Sequence, residues 1–132
     1  MKIKIVLMAL LVGVIATGFS PKEDVEGYSY ALEVNSLSGK VESFDVKIET
    51  TPAGHTESKE VVLRGMQTPF KKTLRSGKHV IKIITNSDKK TLEATVIGLL
   101  HDQKQNFASS VNDKIKTLEL FAGPNGNCGA SQ

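Results

Sequence analysis

Apolar residues return at every second position in short bursts. Tyr28, Tyr30, Leu32 and Val34 alternate with Ser29, Ala31, Glu33 and Asn35, and Phe44, Val46 and Ile48 alternate with Ser43, Asp45, Lys47 and Glu49. A period of two sends successive side chains to opposite faces of a strand, so both segments are expected to be half-buried strands. The second has a strongly charged polar face, which places one side of its sheet in water. No stretch after residue 27 carries a convincing helical period, and the chain is restricted to a layered β structure.

The most apolar part of that layer is the stretch His79 to Leu100. Two runs rich in β-branched residues flank the polar segment Asn86-Ser-Asp-Lys-Lys90. This is the composition of a hairpin with a longer loop, and its apolar content places it in the middle of a sheet with both faces covered. Lys82 interrupts the first run and is expected to reach an edge or to lay its stem along the surface.

The remaining strands are separated by turn chemistry. Ser36 to Lys40 holds Ser38-Gly39. In Thr50-Thr-Pro-Ala-Gly-His55, Pro52 fixes φ and Gly54 permits a positive φ. Glu57 to Met66 reads as a third strand with Val61 and Leu63 inward, and Gly65 marks a bulge or strand end. A short fourth strand starts at Pro69, with Phe70, Lys72 and Leu74 on one face. Arg75-Ser-Gly-Lys78 turns into the central stretch. Gly98 marks a close backbone approach or a strand end. His101 to Asp113 is the longest polar break, holding either one helical turn or a loop with Phe107 tucked under the core. Ile115 to Phe121 is the last strand, ended by Gly123-Pro124. The expected fold is all-β: a seven-stranded antiparallel immunoglobulin-like β-sandwich after an N-terminal signal helix. A small closed barrel is the alternative.

Residues 1–18 read as a secretory signal. Lys2 and Lys4 precede an apolar run from Ile5 to Ala16, and Ala16-Thr-Gly18 offers small residues for cleavage before Phe19. The competing reading is an uncleaved anchor through residues 5–19, short for a membrane span of about 20 residues. Residues 19–27 form a polar linker, 28–122 the sandwich, and 123–132 a flexible tail. Secretion or a periplasmic location follows from the signal, and a domain outside the cytoplasm follows from either reading.

Without Lys2 and Lys4 the chain holds 15 basic and 14 acidic residues, a balance unlike that of a nucleic-acid-binding domain. The distribution is uneven: Lys71, Lys72, Arg75, Lys78, Lys82, Lys89 and Lys90 fall within twenty residues. They form either a basic contact surface for an anionic polymer or lipid, or lysine-guarded strand edges that resist aggregation. Cys128 is the single cysteine, so it is a spare thiol or pairs between chains.

The residue types needed for catalysis are not grouped. His55, His79 and His101 share no metal-ligand spacing, and His101-Asp102, the nearest thing to an acid–base pair, would point opposite ways on a strand. There is no Gly-x-Ser-x-Gly, no Cys-x-x-Cys and no phosphate loop, and Asn86-Ser-Asp88 begins a calcium loop that nothing completes. No catalytic residue, cofactor or metal site is expected.

Tyr28-Ser-Tyr-Ala-Leu-Glu-Val34, the run from Phe44 to Thr56, Val61-Val-Leu63 and Leu92-Glu-Ala-Thr-Val-Ile97 together resemble the mycobacterial small membrane protein (MmpS-like) family. The resemblance spans about Tyr28 to Gln103. It implies an N-terminal membrane segment followed by a small extracytoplasmic β-sandwich. Some members act as accessory subunits of efflux or lipid-export transporters.

These readings converge on an exported, non-enzymatic domain that binds a protein or envelope component through lysine-bearing strand edges and the 101–113 segment. The alternatives are an anchored accessory module of an envelope transporter, and an anionic lipid or polymer binder making peripheral membrane contact.

Overall fold

The computed structural model describes residues 27–85, 91–112 and 117–131. The expected signal or anchor, nearly all of the linker, Lys89 and Lys90, and the first two residues of the strand expected from Ile115 lie outside the described residues.

Nine strands occupy the described residues: β1 Tyr28–Ser36, β2 Ser43–Pro52, β3 Lys59–Gln67, β4 Phe70–Leu74, β5 Gly77–Ile84, β6 Leu92–Leu100, β7 Gln103–Val111, β8 Thr117–Ala122 and β9 Cys128–Ser131. They form two antiparallel sheets, one of order β9-β8-β5-β2-β3 and one of order β4-β1-β6-β7. The all-β sandwich expected from alternation is therefore present, as two ladders rather than one closed barrel. Its strand allocation is its own. In an immunoglobulin domain the first, second, fourth and fifth strands share a sheet; here β1, β4, β6 and β7 do.

The strand count corrects the expected seven, because two strands carry little alternation. Within the polar break 101–113, residues 101–111 are a two-residue turn followed by β7. Leu100 pairs with Gln103, and the intervening His101 and Asp102 have φ of 49° and 65°. Two consecutive left-handed residues make a type I′ turn, whose twist matches that of the flanking strands. The second added strand is β9, in what was expected to be a flexible tail. It pairs with β8, Cys128 opposite Ala122 and Ser131 opposite Glu119.

The central stretch is also corrected. β5 and β6 do not pair as a hairpin: β5 lies between β8 and β2, and β6 lies between β1 and β7 in the facing sheet. The two strands therefore belong to different sheets. Both strands are interior to their sheets, as their composition required, but each keeps one face outward. On β5, Lys78 is exposed and Val80 and Lys82 are half-buried, while His79, Ile81 and Ile83 are buried.

The inner faces make the core. Tyr30, Leu32 and Val34 of β1, Leu92, Ala94 and Val96 of β6, and Leu74 of β4 meet Phe44, Val46 and Ile48 of β2, Ile81 and Ile83 of β5, and Leu118, Leu120 and Ala122 of β8. Each fully buried large aliphatic side chain contributes about 1.5–3 kcal/mol. Aromatic pairs cross between the layers: Phe44 and Phe70 stack edge to face at 5.6 Å, and Tyr30 and His79 at 5.7 Å.

One end of the sandwich is fastened by the β8–β9 loop. The Gly126 amide donates to Tyr30 Oη at 3.0 Å, tying the loop to the opposite sheet. Gly98 of β6 permits this approach, since a Cβ there would stand 2.5 Å from the Gly126 carbonyl oxygen. Near the start of β6, buried Asn112 accepts from the Thr91 and Leu92 amides at 2.9 and 2.7 Å.

Candidate functional site

The outer face of the five-stranded sheet is a lattice fixed by register. One row across the strands reads Val62, Lys47, Lys82, Glu119; the next reads Glu60, Glu49, Val80, Phe121. Residues two apart on a strand are separated by about 6.6–6.8 Å, so the rows are close neighbours. Seven of these eight side chains line a concavity of about 440 Å³: Lys47, Glu49, Glu60, Val80, Lys82, Glu119 and Phe121. Val80 and Phe121 make an apolar floor. Two ammonium groups and three carboxylates surround it.

The polar groups are held from within the sheet. Lys47 Nζ lies 3.3 Å from Glu60 Oε2, an ion pair between half-exposed side chains. Glu49 Oε2 accepts from Ser58 Oγ at 3.0 Å. Lys82 stands between Lys47 and Glu119 in the ladder. Directly opposed like charges disfavour each other, and the Glu60 partner of Lys47 offsets that repulsion. Val62, Ile84 and Phe121 are 42%, 38% and 38% exposed on this same face, which makes it unusually apolar for a solvent-facing layer.

Among the described residues, the basic side chains singled out in the sequence do not gather into one surface. Lys78 and Lys82 face outward on β5, with only Lys82 in the concavity. Lys71 is exposed on β4 of the four-stranded sheet, where it stands opposite Glu33 of β1. Lys72 is half-buried on the inward side of the same strand, opposite Leu32, and Arg75 is exposed in the β4–β5 turn. Lys89 and Lys90 lie outside the described residues. Strand alternation is the cause: neighbours in sequence are sent to opposite faces.

The histidines are likewise separated. His79 is 3% exposed, with Nε2 2.7 Å from the Arg75 carbonyl oxygen and Nδ1 2.9 Å from Thr50 Oγ1. A carbonyl only accepts, so Nε2 donates, and the ring serves as a polar tie inside the core. His101 and Asp102 are exposed turn residues, and His55 is exposed after the β2–β3 turn. Cys128 is half-buried against the core, and burial pushes its thiol pKa up, partly offset by a hydrogen bond from the Gly98 backbone. Among the described residues no three His, Cys, Asp or Glu side chains converge as metal ligands.

The sequence reading missed the grouping of Glu60, Val80, Glu119 and Phe121. Val80 lies in a run whose apolar content suggested cover on both faces, so its place on an outer face was not legible. What was absent was the order β8-β5-β2-β3, which brings four segments of distant sequence side by side. Comparisons with protein-family models, with curated proteins and with solved structures each find no match to this chain.

Proposed function

We propose that this chain is an exported, non-enzymatic binding domain of the cell envelope that holds a protein partner in the concave outer face of its five-stranded sheet. The observation carrying this reading is the concavity itself, with an apolar floor of Val80 and Phe121 ringed by lysines and carboxylates. An interface core needs apolar area that can be dried, and a rim of both charge signs gives orientation. A polypeptide partner offers both kinds of group. A polyanion, whether nucleic acid or anionic lipid surface, would meet Glu49, Glu60 and Glu119 beside the two lysines. The signal-like composition of residues 1–18 supports a location outside the cytoplasm.

Cell fractionation with intact-mass measurement tests the export half of this reading. The expected mass is that of Phe19 to Gln132 in the soluble extracytoplasmic fraction. A full-length mass in the membrane fraction would replace it with an anchored accessory module, and a cytoplasmic protein would overturn both. Gel filtration of the same fraction tests the binding half. The wild type is expected at the size of a complex, and the Lys82→Glu/Phe121→Ala double variant at the size of the free domain. Identical elution of the two would refute the groove as the contact.

A further inference from the structure

Among the described residues, β3 is the one long open edge on its flank of the sandwich. β9, at the other edge of the same sheet, has four residues, and β4 has five. β3 has nine, exposed over most of its length, with Val61 and Val62 at 47% and 42%. Long apolar edges template further pairing unless something blocks them. Here a bulge interrupts the ladder near Gly65, whose φ is +65°, and the Gly65 amide donates to Asp45 Oδ1 at 2.9 Å. The regular pairs with β2 run from Lys59 to Leu63, and Arg64 and Gly65 are the two bulge residues opposite Asp45, Arg64 keeping its side chain exposed.

We infer that β3 pairs antiparallel with β3 of a second copy of this chain, about a two-fold axis through Val62. The choice of axis follows from the sequence of the edge. Paired residues in an antiparallel ladder share a face, so a two-fold relating identical strands passes through a residue and not between residues. An axis at Glu60 sets Glu60 against Glu60. An axis at Val61 sets Glu60 against Val62 and Lys59 against Leu63. An axis at Leu63 runs Val61 into the Gly65 bulge and sets Val62 against Arg64. The axis at Val62 alone sets Glu60 against Arg64 twice, Val61 against Leu63 twice, and Val62 against itself. Charged pairs and Val62 then lie on the outer face, and Val61 and Leu63 continue the inner one. Glu60 can serve both neighbours, because its ion pair with Lys47 uses Oε2. The two five-stranded sheets become one ten-stranded sheet. This self-association shares Glu60 with the groove wall but does not need the groove to be filled.

Five paired residues per chain bury less than a standard interface, so a weak dimer is expected, with Kd on the order of micromolar. The test is sedimentation equilibrium on protein purified after expression of the full chain, with circular dichroism confirming the fold of each variant. The wild type is expected to show a monomer–dimer equilibrium. Glu60→Arg and Arg64→Glu each oppose like charges and are expected to weaken it by about tenfold or more. The double variant Glu60→Arg/Arg64→Glu restores the opposite-charge pairs and is expected to return near the wild-type Kd. In a Cys128→Ser background, Val62→Cys is expected to form an intermolecular disulfide on mild oxidation, and Lys59→Cys is not. A wild type that stays monomeric to about 1 mM, well above a Kd for weak specific association, would overturn the inference. So would a dimer in which the double variant is no better than the single ones.

Discussion

Replacing Tyr30 by Phe removes one oxygen from a fully buried side chain and leaves the ring in place. That oxygen accepts the Gly126 amide at 3.0 Å, and Gly126 is itself buried. Phenylalanine fills the same space, so no cavity term arises. The cost is that of a buried amide left without its partner, about 1–3 kcal/mol. In a domain of about 100 residues each kcal/mol lowers Tm by about 4–8 °C. A fall in Tm of at least about 4 °C is therefore expected. Tyr28→Phe is the control, because the Tyr28 ring packs against Gly126 but no loop amide is assigned to its hydroxyl. It should change Tm by less than about 2 °C, because the half-buried ring stays in place and no buried amide loses its partner. Calorimetry gives the two Tm values, and hydrogen exchange reports on the Gly126 amide directly. That amide should be protected in the wild type and lose protection in Tyr30→Phe before the β5 amides do. A Tyr30→Phe variant within 1 °C of wild type, with the Gly126 amide still protected, would refute the argument that this bond fastens the end of the sandwich.

Other outcomes follow from the same packing. Asn112→Ala strips acceptors from the Thr91 and Leu92 amides and should cost about 2–4 kcal/mol by urea denaturation. Leu120→Ala opens a cavity between the sheets and should cost about 2–5 kcal/mol. Gly98→Ala drives a Cβ against the Gly126 carbonyl, a backbone atom that cannot rotate away, and should cost about 1–3 kcal/mol with increased exchange at Gly126. Burial raises the Cys128 pKa, so the folded state holds the thiol proton more tightly than the unfolded chain does. The resulting stability is present below the ordinary thiol range and is lost as pH rises through and beyond it; Cys128→Ser should flatten that part of the stability–pH curve. Its reaction with a disulfide reagent should also lag behind that of the unfolded chain.

Alternation was a sound guide wherever one face of a strand meets the core and the other meets water. Phe44, Val46 and Ile48 are buried and Lys47 and Glu49 face outward, as their spacing requires. The same rule fails for β7. Its residues Gln103 to Phe107 are all exposed, at the edge of the four-stranded sheet, so no apolar partner was needed and no alternation was written. The preceding turn used His101-Asp102 in place of the glycine-containing pairs that announce a type I′ hairpin. β9 was hidden for another reason. Gly123-Pro-Asn-Gly-Asn127 has the composition of a loose end, yet its amides and carbonyls close on one another and on Tyr30. The expected hairpin between β5 and β6 shows the limit most clearly. Two apolar runs around a polar segment suit an in-sheet turn and a crossing between sheets equally well, and only long-range pairing separates them.

The candidate site was less legible than the fold for the same reason. Lys82 was visible as an anomaly in an apolar run, and the structure places it on the groove wall beside Glu119. Lys71, Lys72, Arg75 and Lys78 were close in sequence and proved to be dispersed over two sheets and a turn. Proximity along a strand-rich chain is a poor measure of shared surface, because each step reverses the face.

The most direct measurement replaces Phe121 in vivo with a photo-reactive phenylalanine analogue and irradiates the cells. Phe107, 56% exposed on the outer face of the other sheet, is the matched control. The expected result is one discrete protein adduct from position 121, lost when Lys82→Glu is added, and no such adduct from position 107. An adduct common to both positions, or none from position 121, would contradict a binding function seated in the groove.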